Sequence, residues 1–341
     1  MTTKAFVSGC AGTELDEAER AFFAAEQPLG LILFKRNCEN PEQVRALVDS
    51  FIAAVGRADA PILIDQEGGR VRRLRPPHWP DYPAAGVLGA LAVRDPGAAV
   101  RAAWLQGRLM ADDLRAIGIT VDCAPVLDAI VPGASEAIGD RSFGGDPERV
   151  TRLGRSLAEG LMAGGVVPVV KHIPGQGRAL VDSHYTLPFV DTDLATLEAV
   201  DLLPFRALAS LPAAMTSHTV FTAIDADRPA TTSATLIRDI IRERIGFDGV
   251  LFSDDVSMNA LAGDHRERGR AIFEAGCDIV LHCSGRMEDM RAIAAVAPPL
   301  TGRAAERVRD MMASVGTPAP FDRAAGRAEF DALMASAAPG A

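Results

Sequence analysis

The sequence predicts an α/β fold, a single-domain (β/α)8 TIM-type barrel, and three observations carry that expectation. Eight short apolar runs end in polar or charged residues, stretches with helical spacing lie between them, and no glycine-rich nucleotide-binding turn follows any run. Continuous apolar strands are buried on both faces, as in a parallel sheet covered by helices, and eight such units close a barrel. The rival, an open doubly wound sheet, usually carries a GxGxxG or P-loop turn after a strand. This chain has neither.

The first run, AFVSG (5–9), precedes ELDEAERAFFAAEQ (14–27), whose apolar residues recur at i, i+3, i+4 and i+7. GLILFK (30–35) leads into a helix over 40–56, announced by Asn40 before Pro41 and Glu42 and stopped at Gly56. PILID (61–65) and GITVDCA (118–124) follow, and then a helix over 148–165 with Asp146 and Pro147 at its start and Gly164 near its end. VVPVVKH (166–172), AAMTSH (213–218), a helix over 233–246 that opens after Ser233, GVLFSDD (249–255) and CDIVLHC (277–283) complete the series. The composition changes only at the Ala/Pro-rich ending after Gly316. The expected organisation is a barrel over 1–316 and a C-terminal tail over 317–341, partly helical or frayed.

Charge and composition narrow the partners. With 35 Lys and Arg against 45 Asp and Glu, a net charge of −10, and only 2 Trp and 2 Tyr, the chain has no basic stripe with interleaved aromatics. Nucleic acid and anionic membrane surfaces are therefore not expected partners, and a small molecule is. Five cysteines without a CxxC pair fit neither a disulfide framework nor a zinc cage, and they read as reduced. VSGC (7–10) looks like a lipoprotein cleavage box, but the apolar stretch before it is shorter than the roughly 7 to 15 residues of a signal core. No window approaches the ~18 apolar residues of a membrane span. The expectation is a cytoplasmic monomer.

In a barrel, the C-terminal strand ends converge on one mouth. Here they carry Lys35 and Arg36, Asp65 with Glu67, Asp122 and Asp128, Lys171 with His172, Ser217 with His218, Asp254 with Asp255, and His282. Each alone is more often a cap or an ion pair than a reactive group, but so many at one rim make a charged pocket. Three segments stand out. IDQEGGRVRRL (64–74) leaves its strand through two glycines, so that Asp65 and the arginines can face the mouth. KHIPGQGRALVDSH (171–184) ends in Asp182 and His184, a spacing that lets the carboxylate hold Nδ1–H and leave Nε2 free for proton transfer; an Asx turn is the plainer reading of DSH. GFDGVLFSDDVSM (246–258) puts two carboxylates at a strand end, where one is expected to bind a donor such as Lys171 and the other to act. Residue chemistry alone does not say which acts. A metal-dependent hydrolase built on His172, His218 and His282 would usually show an HxH pair after the first strand, which is missing, so neither metal nor cofactor is expected.

GLILFKRN (30–37), IDQEGGRV, APVLD, IGDRSFGGDPE (138–148), KHIPGQG, DSH, the MTSH run, PATTS, GFDGVLFSDD and AGCDIVL together resemble glycoside hydrolase family 3, in particular its single-domain cytosolic β-N-acetylhexosaminidases. The resemblance covers most of the chain in the same order and implies a barrel without the second domain that many relatives carry. It implies that Asp254 is the nucleophile, that His184 is the acid/base oriented by Asp182, and that Asp65, Arg73, Arg141, Lys171 and His172 contact the sugar. One departure is that KHxPGHG reads KHIPGQG, with Gln176 replacing a titratable side chain. The chemistry implied is retaining hydrolysis in which an imidazole takes the place of the usual second carboxyl. The implied substrates are muropeptides with a terminal β-linked N-acetylglucosamine, including 1,6-anhydro-N-acetylmuramyl products of peptidoglycan recycling. A phosphorylase that passes the sugar to phosphate and a non-catalytic sugar-binding barrel remain as alternatives.

Overall fold

All eight apolar runs contain strands of one parallel sheet in the computed structural model, which describes residues 2–335. They are β1 (Lys4–Ser8), β2 (Pro28–Leu33), β3 (Ile62–Ile64), β4 (Val121–Asp122), β5 (Val167–Ile173), β6 (Ala213–Thr216), β7 (Val250–Phe252) and β8 (Val280–His282). Each pairs with the next in sequence, and β1 pairs with β8 in the register Val7 to Leu281. The β7–β8 seam is held by a parallel bridge from Phe252 to Ile279 and by amides of Asp278 and Ile279 that donate to the Leu251 carbonyl. The ring is thereby closed as a barrel.

Side-chain alternation explains why the runs are apolar throughout. Val7, Ile32, Leu63, Val121, Val169, Met215, Phe252 and Leu281 form one buried cluster, while neighbours such as Phe6, Leu31, Ile64, Val170 and Leu251 join a second that includes helix residues Phe23, Leu47 and Phe51. With water excluded from both faces, each large side chain contributes about 1.5 to 3 kcal/mol. A one-residue slip would exchange the two sets, so the register is strongly specified.

The first helices form where their caps announce them. Asp16 caps α1 (Glu17–Glu26) in a capping box with Glu19, and the Asn40 side chain accepts the Gln43 amide at the start of α2 (Pro41–Val55). Between β3 and β4 the chain builds α3 (Ala85–Arg94) and α4 (Pro96–Ala116), and Asp146 caps α5 (Pro147–Ala163). Short α6 (Leu194–Ala199) and α7 (Leu202–Ala207) follow β5. The stretch expected to be an α-helix over 233–246 is instead a π-helix over Leu236–Arg244, closed by Ile245 N donating to Ile240 O. A second small sheet joins Phe189–Val190, Val220–Phe221 and Asp225–Pro229. The last helices are α8 (His265–Ala275), α9 (Met287–Ala294), α10 (Gly302–Ala313) and α11 (Arg323–Ala335).

Helix α11 belongs to the segment after Gly316 and docks on α4. Phe330 is buried near Tyr82, Glu329 pairs with Arg101 through two bonds of 2.7 Å, and Arg323 reaches Asp113. Residues 336–341 of the expected tail lie outside the described residues. All five cysteines are free, and Cys10 of the VSGC run is buried beyond the end of β1. Among the described residues, no helix is long and apolar enough to cross a membrane.

Candidate functional site

The strand ends surround a cavity of about 280 Å³, and all eight residues singled out for chemistry or sugar contact line it: Asp65, Arg73, Arg141, Lys171, His172, Asp182, His184 and Asp254. The segment after β3 reaches it by a tight turn. Gly68 and Gly69 take positive φ values of 96° and 58°, and a Cβ on Gly68 would lie 2.4 Å from the Pro83 carbonyl oxygen. Only glycine fits there, and the turn aims Asp65 and Glu67 inward.

One wall is a cage of alternating charge. Lys171 Nζ sits 2.9 Å from Asp65 Oδ1 and 2.6 Å from Glu67 Oε1, Arg73 Nη2 donates to Asp65 Oδ2 at 2.7 Å, and Arg141 grips Glu67 through two bonds of 2.8 Å. Burial alone would raise both carboxyls. Lys171 and Arg73 outweigh it at Asp65 and pull that group well below its usual range; Arg141 and Lys171 bring Glu67 down to about 2. Burial likewise opposes the charge on Lys171, but Asp65 and Glu67 hold its value above the ordinary one. Every group in the cage is therefore charged near neutral pH, and its side chains are fixed before a ligand arrives.

Histidine 172 extends this wall. Its Nδ1 donates to Asp128 Oδ2 at 2.7 Å, and the other Asp128 oxygen accepts the amides of His172 and Gln176. That bond sets the ring orientation and leaves Nε2, 3.4 Å from Arg141 Nη2, at the cavity side.

Opposite the cage stand the carboxylates after β7. Asp254 Oδ1 accepts the Asp255 amide at 2.8 Å, and no ion pair reaches Asp254 among the described residues. Burial raises its carboxyl, but His218, His172, the Asp255 amide and His184 together leave it below the ordinary carboxylate value. Asp255 has the contrary fate: burial and the charge of Asp254 outweigh its bonds to the Ser257 and Cys283 amides, and its value is raised. The two neighbours are thus pushed in opposite directions by their surroundings, which favour the ionised form at Asp254 more than at Asp255. The expected bond from Lys171 to one of them does not form. Lys171 is consumed by Asp65 and Glu67, and backbone amides take the donor role instead.

The loop after β5 brings the third component. Gly177 passes so close to the 129–131 backbone that a Cβ would meet the Ala129 carbonyl oxygen at 1.9 Å. Beyond it, Asp182 Oδ1 accepts both the His184 amide at 2.9 Å and His184 Nδ1 at 2.8 Å. The Asx turn and the oriented imidazole are thus the same feature. Gln176 Nε2 donates to Ser183 Oγ at 3.1 Å, and Gln176 Oε1 accepts from Ser217 at 3.3 Å. This amide ties the DSH turn to the end of β6 without a titratable group.

Other strand-end residues fall elsewhere. Asp122 is buried behind the cage with its carboxyl raised well above the ordinary value by desolvation, and it does not line the cavity. His218 is buried, with Nε2 3.0 Å from the Asp255 carbonyl oxygen and Nδ1 2.7 Å from Thr231 Oγ1. His282 also leaves the cavity, so His172, His218 and His282 do not gather around one point. Sequence reading noted Glu67 and Asp128 at strand ends but assigned them no partner, and it missed the apolar wall of Phe34, Met215, Met258 and Leu281. Phe34 carries the Arg73 guanidinium 5.0 Å above its ring.

Residues 7–315 match the model of the glycosyl hydrolase family 3 N-terminal domain. Over 280 residues, 81% of this chain and 79% of the relative, it is 44% identical to a β-hexosaminidase of Alkalilimnicola ehrlichii, and over 331 residues, 95% and 93%, it is 39% identical to one of Methylococcus capsulatus. Among solved structures it superposes on NagZ from Neisseria gonorrhoeae in complex with N-trifluoroacetyl-D-glucosamine, with a TM-score of 0.87, 35% identity and 99% of both chains covered. A β-N-acetylhexosaminidase from Beutenbergia cavernae gives a TM-score of 0.72 at 29% identity, with 96% of both chains covered.

Proposed function

Because the chain belongs to glycosyl hydrolase family 3 and is a β-N-acetylhexosaminidase of that family, we propose that it is a retaining exo-enzyme that releases terminal β-linked N-acetylglucosamine from muropeptides. The observation that carries this reading is the presence, in one cavity, of an ionised carboxylate without a cation, Asp254, and a carboxylate-oriented imidazole, His184. Retaining hydrolysis needs these two components: a nucleophile for the anomeric carbon and a proton donor for the leaving oxygen.

In this scheme Asp65, Arg73, Arg141, Lys171 and His172 hold the sugar through its hydroxyl and acetamido groups. His184 Nε2–H protonates the glycosidic oxygen as Asp254 attacks the anomeric carbon from the opposite face and the carbon–oxygen bond breaks. A water then gives its proton to His184 Nε2, its oxygen bonds to the anomeric carbon, and Asp254 leaves with the original configuration restored. Asp182 holds Nδ1–H throughout and stabilises the imidazolium form. Neither metal nor cofactor enters these steps. Muropeptides with a 1,6-anhydro-N-acetylmuramyl end are the proposed natural substrates, which places a monomeric enzyme in cytoplasmic peptidoglycan recycling.

The test is release of nitrophenol from 4-nitrophenyl β-N-acetylglucosaminide in phosphate-free buffer, with added phosphate, and with chelator, alongside a purified N-acetylglucosaminyl-anhydromuramyl peptide. Turnover of both substrates, indifferent to the additions, is expected. A strict requirement for phosphate would make the protein a phosphorylase, and no sugar release from the muropeptide would remove the recycling assignment.

A further inference from the structure

His282 ends β8 but faces away from the sugar cavity, toward the starts of α8 and α9. There it meets His265 and Asp289, and ligand atoms of the three side chains lie within 4.8 Å of one another. We propose that His265, His282 and Asp289 form a binding site for a divalent transition-metal ion of the zinc type, separate from the sugar cavity.

Two imidazole nitrogens and a carboxylate oxygen are a donor set that zinc accepts, with solvent in the fourth position. Bond lengths of about 2.0 to 2.2 Å at tetrahedral angles place ligand atoms about 3.3 Å apart. His265 Nδ1 is already 3.4 Å from Asp289 Oδ1, His282 Nε2 is 4.0 Å from Asp289 Oδ2, and all ligand atoms lie within 4.8 Å, so closure needs them to draw together by no more than about 1.5 Å. The rings stand edge to face with centroids 5.9 Å apart. His265 Nε2 is buried without a hydrogen-bond partner, while Nδ1 of the same ring faces Asp289.

Access exists from outside. Asp264, His265, Glu288 and Asp289 line a surface cleft of about 430 Å³. The position is held by groups that can withdraw. Ser284 Oγ bridges His282 Nε2 and Asp289 Oδ2 at 2.8 Å each, and Arg286 bonds Asp289 at 2.7 and 3.1 Å from a side chain that is 72% exposed. The ion therefore competes with Arg286 for Asp289. Once bound, it links β8 to α8 and α9 and stabilises the fold by mass action.

Because Asp182 and His184 in the mouth could also hold zinc, the test uses full-length protein carrying Asp182→Asn and His184→Gln. Zinc chloride is titrated by calorimetry, cobalt(II) absorption reports the coordination geometry, and melting is followed with and without zinc. About one equivalent should bind, and zinc should raise the melting temperature. Adding His265→Gln, at a partly exposed position, should weaken binding about tenfold or more and abolish the zinc-dependent rise, while the zinc-free melt stays unchanged. Arg286→Ala should instead tighten binding. Affinity indifferent to His265→Gln, or no binding at millimolar zinc, would overturn the proposal. Turnover is not read, so this outcome is independent of the glycosidase assignment.

Discussion

Asp254 and Asp255 are adjacent carboxylates with opposite environments, and that difference yields the sharpest predictions. Asp254→Asn should abolish turnover while N-acetylglucosamine still binds by calorimetry; substantial residual activity would shift attention to Asp255. His184→Ala should cost about 10²- to 10⁴-fold in glycosylation of natural disaccharides and far less for a nitrophenyl glycoside, whose leaving group needs little protonation. Equal losses in pre-steady-state glycosylation rates would count against proton donation by His184. Asp254 must be ionised, and its carboxyl lies below the ordinary 3.8, so the acid limb of kcat/KM should fall below that pH. His218→Gln removes the leading influence that opposes burial and should move the limb upward, as a pH–rate profile would show. Asp65, Lys171, His172 and Asp254 were legible because reactive side chains stood where strands had to end, Arg73, Asp182 and His184 stood in the loops that follow, and Arg141 was found only through the family resemblance. The partner of Lys171 was not legible, because ion pairing depends on which side chains from β3 and β5 meet across the barrel, and spacing along the chain does not encode that.

The elements were readable where local signals were strong. Asn40 and Asp146 announced helices because an N-cap acts within three residues of chain. The π-helix over Leu236–Arg244 kept an apolar stripe close enough to the α period that pattern reading could not separate the two hydrogen-bonding schemes. The docking of helix α11, in a tail expected to be partly helical or frayed, was hidden for another reason: its sequence is Ala-rich and lightly apolar, and its anchorage comes from α4, more than two hundred residues earlier in the chain. Phe330→Ala should therefore destabilise the protein by about 3 kcal/mol and lower the melting temperature by several degrees, while activity per folded molecule persists. An unchanged melt would mean that α11 contributes nothing to the barrel.

The whole molecule places its buried charges at one end of an otherwise apolar barrel, and that choice has a thermodynamic signature. Glu67 is depressed from 4.5 to about 2 in the folded state. Its stabilising contribution is present above the unfolded value and is lost as pH falls from about 4.5 toward 2, so thermal stability should decline across that window. Glu67→Gln should flatten the decline in a series of calorimetric melts. The same barrel was visible from eight runs because burial on both faces leaves a continuous apolar trace, whereas the small sheet around Val220–Phe221 includes Asp225–Pro229, a polar and largely exposed strand that leaves none. The central claim, covalent capture by Asp254 with His184 serving both steps, is tested most directly by mass. His184→Ala protein mixed with 4-nitrophenyl β-N-acetylglucosaminide should release nitrophenol and accumulate a glycosyl-enzyme, because the second step lacks its base. The intact mass should rise by one N-acetylglucosaminyl group, mapped by peptide fragmentation to Asp254. Nitrophenol release with no added mass, or an adduct on another residue, would contradict the account.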